Sequence, residues 1–144
     1  MYISSICCDD WVGLSSEDKT IENPTWADVE AAIRALDGER RTVVALEGEG
    51  EKHLCVGGGS LGRYCIYATF DNERFFTLAS SDQPETAVML NVGGQEGDYP
   101  SNTIVDIATV LVASKTFAET GKIDANLRWL NNEESRRCRR AMRP

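Results

Sequence analysis

Between residues 42 and 92 the chain passes through five short runs rich in β-branched and aromatic residues, each closed by a break too short to hold a helix. That cadence admits few folds. The first run is Thr42-Val43-Val44-Ala45-Leu46, and the acidic, glycine-bearing stretch over residues 47–51 turns the chain into Lys52-His53-Leu54-Cys55-Val56. A glycine-rich break at 57–62 precedes a run over 63–70, and Asp71-Asn72-Glu73 leads into a run over 74–79. A polar break with Pro84 precedes the fifth run, 86–92. Runs joined by such turns pair antiparallel, so the segment predicts a meander.

Two helices are expected beside it. In Asn23-Pro24-Thr25-Trp26-Ala27-Asp28, Thr25 caps and Asp28 lies three residues on, a capping box with a shorter acid. Trp26, Val29, Ile33 and Leu36 then form one apolar stripe, and Asp37-Gly38 stops the helix. The second helix is expected to begin near Ser101 or Asn102 and to run to Gly121, with Ile107, Val110, Ser114 and Phe117 on one face and Pro100 at its entry. Residues 2–7 read as an edge strand, 9–20 and 93–100 as loops, and 125–130 as a strand or packed coil. The fold expected is α+β, a largely antiparallel sheet of about five or six strands with two main helices packed on it. Residues 1–132 form the single domain of this reading, and residues 133–144 a basic, flexible tail.

A chain of 144 residues has the usual size of one domain, and 42% hydrophobic with 26% charged residues excludes wholesale disorder. The longest apolar-rich segment, 104–117, is interrupted by Asp106, Thr109, Ser114 and Lys115 as an amphipathic helix would be, and no stretch approaches the roughly 18 to 20 continuous apolar residues of a membrane helix. The start lacks the basic and apolar regions of a secretory signal, so a cytoplasmic location is expected. Cys7, Cys8, Cys55, Cys65 and Cys138 make an odd set with no CxxC, and read as reduced thiols. The net charge of −8 is uneven: residues 133–144 hold five arginines against two glutamates, +3, which leaves −11 on residues 1–132. An acidic body repels nucleic acid and anionic membranes and steers basic partners toward itself.

No constellation carries chemistry. Residues 57–62 match G-x-G-x-x-G, but the glycines precede a strand where a dinucleotide site requires a helix. Gly93-Gly94-Gln95 spells the tripeptide of peptide release factors with nothing else of such a factor around it, and its physical content is a flexible turn carrying an amide. His53 and Cys55 share a strand face, yet parallel side chains without an orienting third group do not make a nucleophile and base. The paired carboxylates, Asp9 with Asp10 and the set Glu47, Glu49, Glu51, lie in hydrophilic turns and are expected to stay solvated and ionised. No metal, no cofactor and no enzymatic activity are expected.

The order of several motifs resembles the immunity proteins of bacterial polymorphic toxin systems, the family numbered first among them, whose genes typically accompany deaminase toxins. The resemblance rests on Asn23-Pro24-Thr25-Trp26 with Val29, Ile33 and Leu36, the Gly57-Gly58-Gly59 break, and the loop from Gly93-Gly94-Gln95 to Tyr99-Pro100. It continues through Phe117-Ala118-Glu119-Thr120-Gly121 and Leu127-x-Trp129, covering about residues 20–130. It implies an antitoxin that binds a cognate toxin domain and blocks its active or substrate-binding surface, with no direct contact to nucleic acid, membrane or small-molecule substrate. A deaminase that grips phosphate presents basic surface, to which acidic loops are complementary. The candidate partner-binding residues are Glu47, Glu49 and Glu51 in one turn, Asp71 and Glu73 in another, and Gln95, Glu96, Asp98 and Tyr99 beside the glycine pair. Two other readings stay open: a small-ligand or enzymatic domain with a pocket between sheet and helices near His53 and Cys55, and a scaffold acting through the arginine tail. Trp26 and Trp129 are assigned to packing.

Overall fold

The computed structural model describes residues 1–142. Along the chain the elements are β1 (Ser5–Cys8), β2 (Trp11–Val12), β3 (Ser15–Ser16), β4 (Lys19–Glu22), α1 (Trp26–Arg34), β5 (Val43–Glu47) and β6 (His53–Gly58). They continue with β7 (Tyr64–Thr69), β8 (Phe75–Leu78), β9 (Ala87–Val92), β10 (Gln95–Pro100), α2 (Ile107–Thr120), β11 (Trp129–Leu130) and α3 (Asn132–Ala141). Short 3₁₀ turns occupy Ser60–Gly62 and Ser101–Thr103. The class is α+β, and the main sheet has seven strands in the order β11-β8-β7-β6-β5-β1-β4, all paired antiparallel.

Strand alternation divides the sheet into two faces. Ile6, Val44, Leu46, Leu54, Val56 and Ile66 point to the inner face and are buried. Val29, Ile33 and Leu36 from the α1 segment and Val110, Ala113 and Phe117 from α2 close over them in one core. Phe117 is 0% exposed and sits between the rings of Tyr2 and Phe70. The Thr25–Asp28 capping box forms as expected. The last turn of α2 ends on Gly121 at φ 72, a left-handed C-cap whose N–H donates to the Phe117 carbonyl at 2.8 Å.

Several local expectations are corrected. β1 is not an edge strand, because it sits between β5 and β4, and β4 is the edge. Residues 9–20 hold the small β2–β3 hairpin and the first residues of β4 rather than a loop. The segment after Gly93-Gly94 is strand β10, paired with β9 from Gln95↔Val92 to Pro100↔Ala87 in a hairpin separate from the main sheet. Glycine and acid disguise β10 in sequence, since Gln95-Glu96-Gly97-Asp98 has no apolar alternation. α2 begins at Ile107, capped by Asp106 through the Thr109 N–H at 2.9 Å, so Pro100 and Ser101 belong to the approach and not to the helix.

The segment expected as a flexible tail is helix α3 in the described residues, with Arg143 and Pro144 lying outside them. Asn131 and Glu134 close a reciprocal capping box at 2.9 and 3.0 Å. Glu133 and Glu134 sit at the helix N-terminus and Arg139 and Arg140 at its end, a charge order that suits the helix dipole. Cys138, 1% exposed, packs with Ala79 and Leu130 and fastens the helix to the sheet margin.

Candidate partner-binding site

The outer face of the main sheet is half-open, and its rows follow from register. Cys7, Ala45, Cys55, Tyr67 and Thr77 form one row across five strands, and Ser5, Glu47, His53, Thr69 and Phe75 form the next. His53 and Cys55 share this face as expected. The His53 Nε2 lies 3.3 Å from the Tyr67 hydroxyl and its Nδ1 lies 3.0 Å from the Glu51 carbonyl oxygen. Burial pushes the Cys55 thiol up to about 12 and the Cys65 thiol up to about 11. Burial, and then the neighbouring Cys55, raise the Tyr67 phenol as well. These groups are held in their neutral forms, the opposite of an activated nucleophile.

A cavity of about 350 Å³ opens on this face. It lies beneath α3 and beside β10, not between the sheet and the two packed helices where a pocket was expected. Tyr67, Phe75 and Tyr99 supply aromatic wall, and Asn132, Arg136 and Arg139 line it from α3. His53 and Cys55 do not line it. No feature of the sequence gathered these residues, because they come from three separate segments.

The sequence-predicted residues fall in three places. An antiparallel meander places alternate turns at the same end of the sheet, so the β5–β6 turn with Glu47, Glu49 and Glu51 and the β7–β8 turn with Asp71 and Glu73 stand together. The first turn is pinned by Tyr2, whose ring packs where a side chain at Gly48 or Gly121 would have to stand and whose hydroxyl accepts the Glu49 N–H at 3.3 Å. Asp71 is spent on its own turn: the N–H groups of Arg74 and Glu73 and the Arg74 guanidinium hold its carboxyl down to about 2. Glu49, Glu51 and Glu73 are exposed.

Gln95 and Glu96 lie at the opposite end, where the Gly94 N–H donates to the Thr42 hydroxyl at 3.1 Å just before β5 begins. Asp98 is exposed along β10, and Tyr99 turns into the cavity, where burial raises its phenol. Tyr99 is thus separated in space from Gln95 and Glu96, and it joins Tyr67 and Phe75.

Asp9 and Asp10 are not solvated. They are 5% and 3% exposed. Asp9 accepts from the Thr42 N–H at 2.7 Å, the Val43 N–H at 3.1 Å, the Thr42 hydroxyl and the Trp11 indole at 2.8 Å. Asp10 binds Arg40 and, at 3.1 Å, Lys19, and hydrogen bonds from these two hold its carboxyl down to about 2. The pair is structural: it splices the end of β1 to the start of β5. Trp26 and Trp129 do pack, the first under the Lys115 ammonium at 5.8 Å and the second donating its indole N–H to the Asp124 carbonyl at 2.9 Å.

The sequence model of one protein family, described as immunity protein Imm1, matches residues 17–131. That span runs from the approach to β4 through β11 and stops at the residue that caps α3. No curated protein matches the chain.

Proposed function

The chain belongs to the Imm1 family of immunity proteins, and from that premise we propose that it binds a cognate bacterial toxin domain in the cytoplasm and neutralises it without catalysing a reaction. The toxin of this reading is a deaminase acting on nucleic acid, and its basic substrate-binding surface is what the antitoxin covers. The observation that carries the reading is the gathering of Glu47, Glu49, Glu51 and Glu73 at one end of the sheet, in a body whose first 132 residues sum to −11. A surface that holds phosphate attracts such a cluster, which raises the association rate and covers the groups that bind substrate. Gln95 and Glu96 stand at the far end of the sheet, outside this cluster.

The test is a binding and activity measurement with the toxin domain encoded beside this chain. A one-to-one complex is expected, with association slowing as salt rises and deaminase activity suppressed in proportion to complex formed. Lysine at Glu49, Glu51 and Glu73 together slows association by about tenfold or more at low salt. No complex, or neutralisation that leaves the toxin chemically altered after the two proteins are separated, contradicts the proposal.

A further inference from the structure

The cavity under α3 has a composition unlike the rest of this molecule. Its floor is the outer face of β7 at Cys65 and Tyr67 with Thr77 of β8 beside them, its sides are Phe75 and Tyr99, and Arg136 and Arg139 line it from α3. Arg136 is engaged by Glu133 at 3.2 Å. Among the described residues no carboxylate lies within ion-pair distance of Arg139, although the chain carries 23 acidic side chains. The Ser135 hydroxyl, buried in the lining of the same cavity, has no hydrogen-bond partner among them. Arg139, exposed at the mouth of the cavity without a carboxylate, leaves a charge-assisted hydrogen bond for an incoming group to make.

We propose that this cavity receives a segment of the partner protein that carries a large apolar side chain with a carboxylate beside it. The apolar group stacks among Tyr67, Phe75 and Tyr99. The carboxylate takes the Arg139 guanidinium. A half-buried aromatic recess with an arginine at its mouth is the kind of site where a few contacts carry most of an interface's binding energy once a partner covers it. The volume suits a single large side chain rather than a folded element. The recess is continuous with the acidic end. Asn132, which lines it, donates its amide to the Glu73 carbonyl at 2.8 Å and accepts the Phe75 N–H at 2.8 Å. One partner surface therefore meets both signs of charge, basic groups against Glu49, Glu51 and Glu73 and an apolar-acidic knob against Arg139. In naming the partner as the toxin, this inference rests on the function proposed above.

Two measurements separate the two ideas. The first uses the whole chain and a probe peptide, acetyl-Trp-Asp-Glu-amide, with acetyl-Trp-Lys-Lys-amide and acetyl-Gly-Asp-Glu-amide as controls, followed by NMR. Saturable shifts at Tyr67, Thr77, Tyr99 and Arg139 are expected with the first peptide only, and Arg139→Glu is expected to abolish them. Shifts that are absent, scattered, or equal for all three peptides overturn the proposal.

The second uses the toxin domain. Thr77→Trp, which fills the cavity, and Arg139→Glu each weaken the complex by about tenfold or more, mainly through faster dissociation, with Arg139→Lys between. If the wild type binds and both variants bind within twofold of it, the recess is not part of the interface while the antitoxin role stands. If the toxin is not bound at all but the peptide is, the antitoxin role fails and the apolar-acidic specificity of the recess stands. Should Thr77→Trp not fold, Arg139→Glu, on the exposed side of α3, decides alone.

Discussion

Thr42 stands between Asp9 and Gly94: its hydroxyl donates to the Asp9 carboxylate and accepts the Gly94 N–H at 3.1 Å. One side chain thereby ties the end of β1, the start of β5 and the tip of the β9–β10 hairpin. Trp11 completes the junction, with its indole on Asp9 and its ring against the face of Gly94 that a side chain would occupy.

Asp9→Ala strands several donors in a buried setting at once, and unsatisfied donors cost about 1–3 kcal/mol each before relaxation. A loss of about 3 kcal/mol in denaturant unfolding is expected, whereas Thr42→Ser, which keeps the hydroxyl, costs about 1 kcal/mol or less. Hydrogen exchange at the Gly94 amide is the local readout. Slow exchange in Asp9→Ala would show that the junction does not hold the hairpin.

Asp10 gives the molecule an acid limb. Its carboxyl is held at about 2 against an ordinary 3.8, by the bonds from Arg40 and Lys19. A value depressed by folding contributes stability that is complete above the unfolded value and is lost as the pH falls through about 4 to about 2. Asp71, also near 2, loses its contribution in the same window. Melting temperature against pH for Asp10→Asn is expected to start lower at neutral pH and to fall less steeply below pH about 4 than for the wild type. Parallel curves would refute the assignment.

The close approach of the hairpin to the sheet depends on Gly57. A β-carbon there would stand 2.5 Å from the Val92 side chain, so Gly57→Ala lifts β9 at a cost of about 1–3 kcal/mol. Trimming the opposing residue relieves the clash. In a double-mutant cycle, Val92→Ala is expected to be less damaging in the Gly57→Ala background than alone, and strict additivity would remove the explanation.

Thiol chemistry provides a simple check on the outer face. With Cys65 pushed up to about 11 and Cys55 to about 12, alkylation near neutral pH is expected to be slower than that of a free thiol by roughly a hundredfold at Cys65 and roughly a thousandfold at Cys55 until the protein unfolds. Rapid native-state labelling of Cys55 would revive an enzymatic reading of this face.

In the core, Phe117→Ala removes a ring packed between Tyr2 and Phe70 and is expected to cost about 3–5 kcal/mol. Equilibrium denaturation measures it directly.

What the sequence disclosed was what is encoded locally. Thr25 and Asp28 lie three residues apart, so the α1 cap was readable, and β5 to β8 were readable from their turns. The role of Asp9 was not, because its partners lie 33 and 34 residues away and a carboxylate in a polar stretch looks the same whether it faces water or a buried amide. β10 was lost because its pairing with β9 replaces the apolar alternation by which strands are recognised. α3 carries a legible capping pair in Asn131 and Glu134, but its arginine density is the composition of a solvated tail. The acidic half of the candidate site follows from the parity of a meander. Its aromatic half combines Tyr67, Phe75, Tyr99 and Arg139 from segments with no common pattern, and only the folded chain assembles it.

α3 follows every strand in the chain, yet it supplies a wall of the cavity. The aromatic part of the recess comes from residues 65–103, and its arginine wall only from residues 132–139. A product cut short after β11 would lack that wall, and with it the Asn132 amide that holds the Glu73 carbonyl and the Phe75 N–H. Truncation would therefore remove the recess and loosen the acidic turn beside it in one event.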